Sequence, residues 1–158
     1  MPIYSKHHAA VSLVVAGGLG YVLSPVAIFG YELPTLAVVA YGVAVGVLID
    51  LDHFLIARLK TGRWDAVRRC VRDPRIAVAD QGRIFERGDV GVLSRLLSHL
   101  VVIGVIVPIV AVVSVPLAVV TGVVLYAHVV CDVLWDIWRL DHHADTAATE
   151  DELVRTLR

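Results

Sequence analysis

The chain has 158 residues, of which 58% are hydrophobic, and a formal net charge of −1. Soluble domains are usually about 45 to 50% apolar, so this composition, with a mean hydropathy of +0.76, predicts an all-α, multi-pass protein of the cell membrane. The absence of a basic excess argues against nucleic acid as a partner. The two cysteines cannot form a disulfide framework. We expect a single membrane domain over residues 1–158.

Apolar stretches that can cross about 30 Å of hydrocarbon occur four times along the chain. The predicted spans are residues 8–29, 35–57, 96–115 and 117–138. Pro34 at the start of the second span costs no helical hydrogen bond, whereas Pro108 is expected to end or kink the third span early. The glycine spacing in the first two spans favours close approach of their backbones, which predicts a compact four-helix bundle.

Positive charges determine the predicted orientation of these spans. Of 14 Lys and Arg residues, ten lie between Arg58 and Arg95, one precedes the first span and three follow the fourth. Because cationic loops stay on the cytoplasmic side, both termini, the 38-residue loop 58–95 and the tail 139–158 are expected in the cytoplasm. Loops of this length usually have a purpose, so we expect this one to cover a site.

Two short elements are predicted inside the loop. The segment 63–73, "RWDAVRRCVRD", is typical of a short helix on an anionic membrane surface. The alternative is a plain loop that only follows the topology rule. The segment 75–87 alternates weakly around Gln81 and Gly82, which predicts a small hairpin.

Acidic and histidine side chains interrupt the apolar spans near one membrane boundary. They are Asp50, Asp52 and His53 in the second span, His99 in the third, His128, Asp132 and Asp136 in the fourth, and His7 and His8 in the first. With a rise of about 1.5 Å per residue, all would lie within about 16 Å of the cytoplasmic boundary. A charge at such a depth costs at least about 2.5 kcal/mol, which pairing, metal binding or chemistry must offset.

Helical geometry groups part of this set. His128 and Asp132 are four residues apart and lie on one face of their helix. Asp50 and His53 share a face of the second span. Asp52 points about 160° away from that face, unless the helix unwinds around residue 52. Asp52 therefore either has a different neighbour or lies in an irregular part of the helix.

Mixed imidazole and carboxylate ligands favour zinc, with manganese or iron as alternatives. The predicted metal ligands are Asp50, His53, His99, His128, Asp132 and His8. Asp52 and Asp136 are candidates for the general base or for carboxylates that orient the histidines. Because a bound divalent ion activates water and acts as a Lewis acid, hydrolysis is the simplest chemistry for such a site.

The order of these motifs also resembles a known family. The segments "HH" at 7–8, "LIDLDH" at 48–53, "SRLLSHL" at 94–100 and "HVVCD" at 128–132 resemble the YdjM-like membrane-bound metal-dependent hydrolases across all four spans. The resemblance implies a helical metal site acting on phosphoesters, as in the related zinc-dependent phospholipase C group. This chain has Ser94 where the family motif has a histidine, which implies the loss of one ligand.

The sequence therefore favours a membrane-embedded, metal-dependent hydrolase at the cytoplasmic leaflet. Its expected partners are membrane lipids and a small or lipid-like phosphorylated substrate. The alternatives are a non-catalytic membrane scaffold with a structural polar or metal cluster, and a metal or proton transporter. Transport needs a polar path across the bilayer, whereas the outer halves of the predicted spans are almost wholly apolar.

Overall fold

The computed structural model describes residues 5–144 except residues 24 and 87. Most of the tail predicted at 139–158 lies outside the described residues. The elements are α1 (Ser5–Val22), β1 (Val26–Ile28), β2 (Tyr31–Leu33), α2 (Thr35–Leu48), a 3₁₀ turn (Ile49–Leu51), α3 (Asp52–Thr61), α4 (Asp65–Arg72), α5 (Arg75–Val78), a second 3₁₀ turn (Gln81–Arg83), α6 (Val92–Val113) and α7 (Val115–Ala144).

Three helical stretches among the described residues are long and apolar enough to cross a membrane. They are Thr35–Thr61, Val92–Val113 and Val115–Arg139. The first combines α2, the 3₁₀ turn and α3. These stretches lie where the second, third and fourth spans are predicted, with boundaries that differ by a few residues.

A short hairpin replaces the end of the predicted first span. Strand β1 pairs antiparallel with β2, beginning with Val26 opposite Leu33. Phe29 and Gly30, which join the strands, have φ values of +49° and +84°, as a type I′ turn requires. The predicted helix is therefore wrong after Val22, because Pro25 has no amide hydrogen for a helical bond.

Pro108 does not end the third predicted span. It lies inside α6, which continues to Val113. Membrane helices tolerate proline where the surroundings satisfy the freed backbone groups. Only Ser114 separates α6 from α7, and its backbone amide still donates to the carbonyl oxygen of Val110 at 2.8 Å. The turn between these two helices is therefore shorter than the prolines predict.

The described residues divide into two compact units. We call residues 5–49 and 100–131 the apolar unit, and residues 50–99 and 132–144 the polar unit. The apolar unit has a buried core to which α1, α2 and α7 contribute Ala16, Val38, Val120 and Val124. Val110 of α6 packs against the same core.

Close helix contacts in the apolar unit occur at the glycines of α2. A Cβ atom added at Gly42 would lie 2.5 Å from the Cβ of Ala16. At Gly46 an added Cβ would overlap the side chain of Ser12 and lie 3.0 Å from Val124. The glycine spacing in α2 therefore does permit the predicted close approach to α1.

The polar unit has a small apolar core of its own. Ala66, Ile76 and Ile84 are buried there, and Phe54 and Phe85 pack against them. The helix predicted within 63–73 is present as α4. The hairpin predicted within 75–87 is wrong, because this segment forms α5 and a 3₁₀ turn, and the Gln81 amide donates to the carbonyl oxygen of Ala77.

The connection between the second and third predicted spans is shorter than expected. Helix α3 continues to Thr61 and α6 begins at Val92, so the connecting loop is residues 62–91. Arg95, which the sequence assigns to the loop, lies inside α6 and is only 7% exposed. Arg95 is therefore buried in the polar unit and is not an exposed residue of the loop.

Candidate metal centre

The polar unit contains a set of buried and half-buried Asp, His and Arg side chains that we call the polar cluster: Asp50, Asp52, His53, Arg95, His99, Asp132 and Asp136. The irregular turn between α2 and α3 brings Asp52 into this cluster. Residues in a 3₁₀ helix advance about 120° each, compared with 100° in an α-helix, and Ile49–Leu51 adopt the tighter form. Asp52 accepts a hydrogen bond from the Ser98 hydroxyl. Its Oδ2 also accepts from Nδ1 of His99 at 2.7 Å. The irregular helix expected as one explanation for Asp52 is therefore present.

Asp50, His53 and His99 form the centre of this cluster. One donor atom from each lies within 4.8 Å of the others. Oδ1 of Asp50 lies 3.6 Å from Nε2 of His99 and 3.8 Å from Nε2 of His53. These distances are too long for hydrogen bonds. Ligand atoms at about 2.0 to 2.2 Å from a tetrahedral zinc ion would lie about 3.3 to 3.6 Å apart, so the spacing resembles that of a coordination shell.

Asp132 extends this group from α7. Its Oδ2 lies 3.4 Å from Nε2 of His99. Because Nδ1 of His99 donates its hydrogen to Asp52, Nε2 carries the lone pair that a metal requires. The imidazole of His99 is therefore oriented with its Nε2 between the carboxylates of Asp50 and Asp132.

A buried arginine stands beside Asp132. Nε of Arg95 lies 3.6 Å from Oδ2 of Asp132, and its Nη2 donates to Oδ2 of Asp136. From the sequence alone, Arg95 is expected to be a loop cation without a part in the site. Its spacing of one helical turn before His99 is the signal that would have placed both on one face of α6.

The cluster contains more negative than positive formal charge. Asp50, Asp52, Asp132 and Asp136 carry four carboxylates, Arg95 supplies one guanidinium, and Arg139 is a further cation near Asp136, which leaves a formal excess of two to three negative charges. All four aspartate side chains are at most 20% exposed. Because unpaired buried charges are costly, the site needs additional positive charge, as a bound cation or as protons.

The loop contacts the cluster through Phe85. The Phe85 ring lies edge-on to the His53 ring, with centroids 6.0 Å apart. It also packs against Phe54 at 5.1 Å. The loop therefore lies against one of the three central side chains.

The apolar unit contains a second pair of buried histidines. The His8 and His128 rings stack with their centroids 3.8 Å apart. Nδ1 of His128 donates to the backbone carbonyl of Gly46 at 2.7 Å, which makes Nε2 the acceptor nitrogen of the ring. The assignment of His8 and His128 as metal ligands stays a prediction.

Comparisons with protein-family models, with curated proteins and with solved structures found no match to this chain. The resemblance to the YdjM-like hydrolases stays a prediction. The functional inference rests on the residues of the cluster.

Proposed function

We propose that the protein is a membrane-embedded, metal-dependent hydrolase that cleaves a phosphoester at the cytoplasmic leaflet. The observation that carries this proposal is the position of Nε2 of His99. It lies 3.4 Å from a carboxylate oxygen of Asp132 and 3.6 Å from one of Asp50. A histidine fixed in this way, between carboxylates at coordination-shell spacing, is typical of a metal ligand.

The donor set fits zinc. Asp50, His53, His99 and Asp132 would hold the ion with two imidazole nitrogens and two carboxylate oxygens. Nε2 of His53 is buried and makes no hydrogen bond within the described part of the chain, so this atom is free to bind. A divalent ion would also offset most of the negative charge of the cluster. Zinc in such a site supplies a Lewis acid and lowers the pKa of water to about 7.

The other carboxylates have supporting roles in this proposal. Asp52 accepts hydrogen bonds from Ser98 and His99, and it thereby fixes the direction of the His99 ring. Asp136 accepts from Arg95, and this contact holds its carboxylate beside the guanidinium. Their contacts favour orientation of the site over general-base catalysis for both residues.

We infer a topology in which α1 crosses the membrane as a fourth span of a four-helix bundle. Both termini and the loop 62–91 would then face the cytoplasm, since no Lys or Arg lies in the other two connections. Phe85 would cover the site, and exposed loop arginines would attract an anionic head group. The substrate class that this arrangement favours is a small or lipid-like phosphoester.

A hydrolysis assay tests the proposed activity. The full chain, purified in detergent and loaded with zinc, is assayed on p-nitrophenyl phosphate, bis-p-nitrophenyl phosphate and phosphatidic acid. We expect hydrolysis of at least one substrate, its loss with chelator, and a loss of at least about 100-fold in His99→Ala, as expected when one of the ligands that hold the metal in place is removed. The matched control is His7→Ala, because His7 is exposed on α1; this variant should keep full activity.

The same preparation distinguishes the alternatives. A folded chain that retains zinc but hydrolyses none of the three substrates would contradict the hydrolase proposal. A folded chain that retains no zinc would contradict the metal site and favour a scaffold. Zinc-dependent uptake into proteoliposomes without hydrolysis would favour a transporter.

A further inference from the structure

We propose that the centre takes a single divalent ion, because the guanidinium of Arg95 occupies the place where a second ion would bind. This inference rests on the proposed metal site and fixes the number of ions in it. It also assigns Arg95 the role of a positioning residue, which acts on the site through Asp132 and Asp136.

One carboxylate oxygen of Asp132 lies between His99 and Arg95. In sites with two metals, ions about 3.5 to 4 Å apart share their ligands. Oδ2 of Asp132 lies 3.4 Å from Nε2 of His99. The same oxygen lies 3.6 Å from Nε of Arg95. It is therefore shared between the proposed ion site and the guanidinium.

Asp136 also pairs with Arg95. Its Oδ2 accepts from Nη2 of the guanidinium, while Nε of the same group faces Asp132. Two nitrogens of the buried Arg95 guanidinium thus contact two carboxylates that lie one turn apart on α7. These are the carboxylates that a second ion in this part of the cluster would need.

The positive charge of Arg95 opposes a second cation at this position. A guanidinium stays protonated in proteins, and it would repel a divalent cation at the distance of a shared carboxylate. If Asp132 or Asp136 bound a second ion, the buried guanidinium would also lose one of its carboxylate partners, which is unfavourable. One ion and Arg95 therefore share the four carboxylates.

Counting bound metal tests this inference without any measurement of activity. The full chain in detergent is equilibrated with zinc and, separately, with manganese, then desalted and analysed for metal per chain. We expect one ion per chain in the parent protein and in Arg95→Lys. We expect two in Arg95→Gln, because the loss of the cation releases Asp132 and Asp136 for a second ion.

The outcomes separate the inference from the function on which it rests. Two ions in the parent protein would overturn the single-ion inference but leave the metal site intact. One ion in both the parent and Arg95→Gln would overturn the role of Arg95. No ion in the parent would overturn the metal site itself.

A second variant keeps the test decisive if Arg95→Gln does not fold. Asp136→Asn keeps an oxygen that can accept from Arg95 but loses a charge that a second ion would need. We expect this variant to retain one ion with the zinc affinity of the parent. A loss of metal would overturn the assignment of Asp136 to Arg95.

Discussion

Asp52→Asn is the substitution that most sharply tests how the site is built. Asp52 does not share the regular helical face of Asp50 and His53, yet its Oδ2 accepts from Nδ1 of His99 at 2.7 Å and from the Ser98 hydroxyl. Asparagine has the same shape but no charge. Both hydrogen bonds go to Oδ2, so the amide oxygen of asparagine can accept them, while the substitution removes the negative charge and places an amide nitrogen at Oδ1, 3.7 Å from Nε2 of His53.

The expected effect is a loss of metal affinity rather than of fold. Removal of a carboxylate that orients a ligating histidine typically costs about 10- to 100-fold in metal affinity, or about 1.4 to 2.7 kcal/mol. The upper part of this range is expected here, because the Asp52 side chain is only 7% exposed. Little water is therefore present to compensate for the lost negative charge beside the His99 ring.

Competition titration measures this affinity. Zinc is partitioned between the purified full chain and a chromophoric chelator of known affinity, for the parent and for Asp52→Asn. Asp80→Asn is the matched control, because Asp80 is an exposed aspartate that faces Arg83 at 3.8 Å. Equal zinc affinities in the parent and Asp52→Asn, with both proteins folded, would refute the orienting role of Asp52.

The other predictions concern packing, access and pH. Gly46→Ala should destabilise the protein by about 1 to 3 kcal/mol, because the new Cβ overlaps the side chain of Ser12. Gly104→Ala, with open space at its Cβ, should instead stabilise it by about 0.5 to 1 kcal/mol; equal unfolding midpoints in detergent would refute this contrast. Phe85→Ala should speed the exchange of bound zinc with chelator at nearly unchanged affinity, and an unchanged exchange rate would argue against a cover. Burial raises the pKa of the Cys70 thiol, so less of the reactive thiolate is present at a given pH. In a variant that lacks Cys131, alkylation of Cys70 should therefore have a higher pH midpoint in the folded protein than in the denatured protein. Equal midpoints in the two states would refute the shift.

The positions of the long helices follow from the sequence because length and hydropathy decide them. The three stretches in Thr35–Thr61, Val92–Val113 and Val115–Arg139 coincide with predicted spans. The predicted first span is too long, because hydropathy does not distinguish a helix from a hairpin in apolar sequence. Pro25 and the turn at Phe29 and Gly30 carried the missing information.

The composition of the site was more predictable than its geometry. Asp50, His53 and His99 were expected together because intramembrane acids and histidines are costly unless they have partners. The contact of Asp52 with His99 depends on the 3₁₀ turn, which a constant angle of 100° per residue cannot represent. The burial of Arg95 is not predicted from the sequence, because the positive-inside rule assigns an arginine near the end of a span to the exposed loop.

Zinc K-edge X-ray absorption on the zinc-loaded full chain tests the central claim most directly. The account predicts a first shell of nitrogen and oxygen at about 2.0 to 2.1 Å, with outer-shell scattering from two imidazoles that falls to one in His99→Ala. A shell that contains sulfur, one without imidazole scattering, or a spectrum unchanged by His99→Ala would contradict the metal centre formed by Asp50, His53, His99 and Asp132.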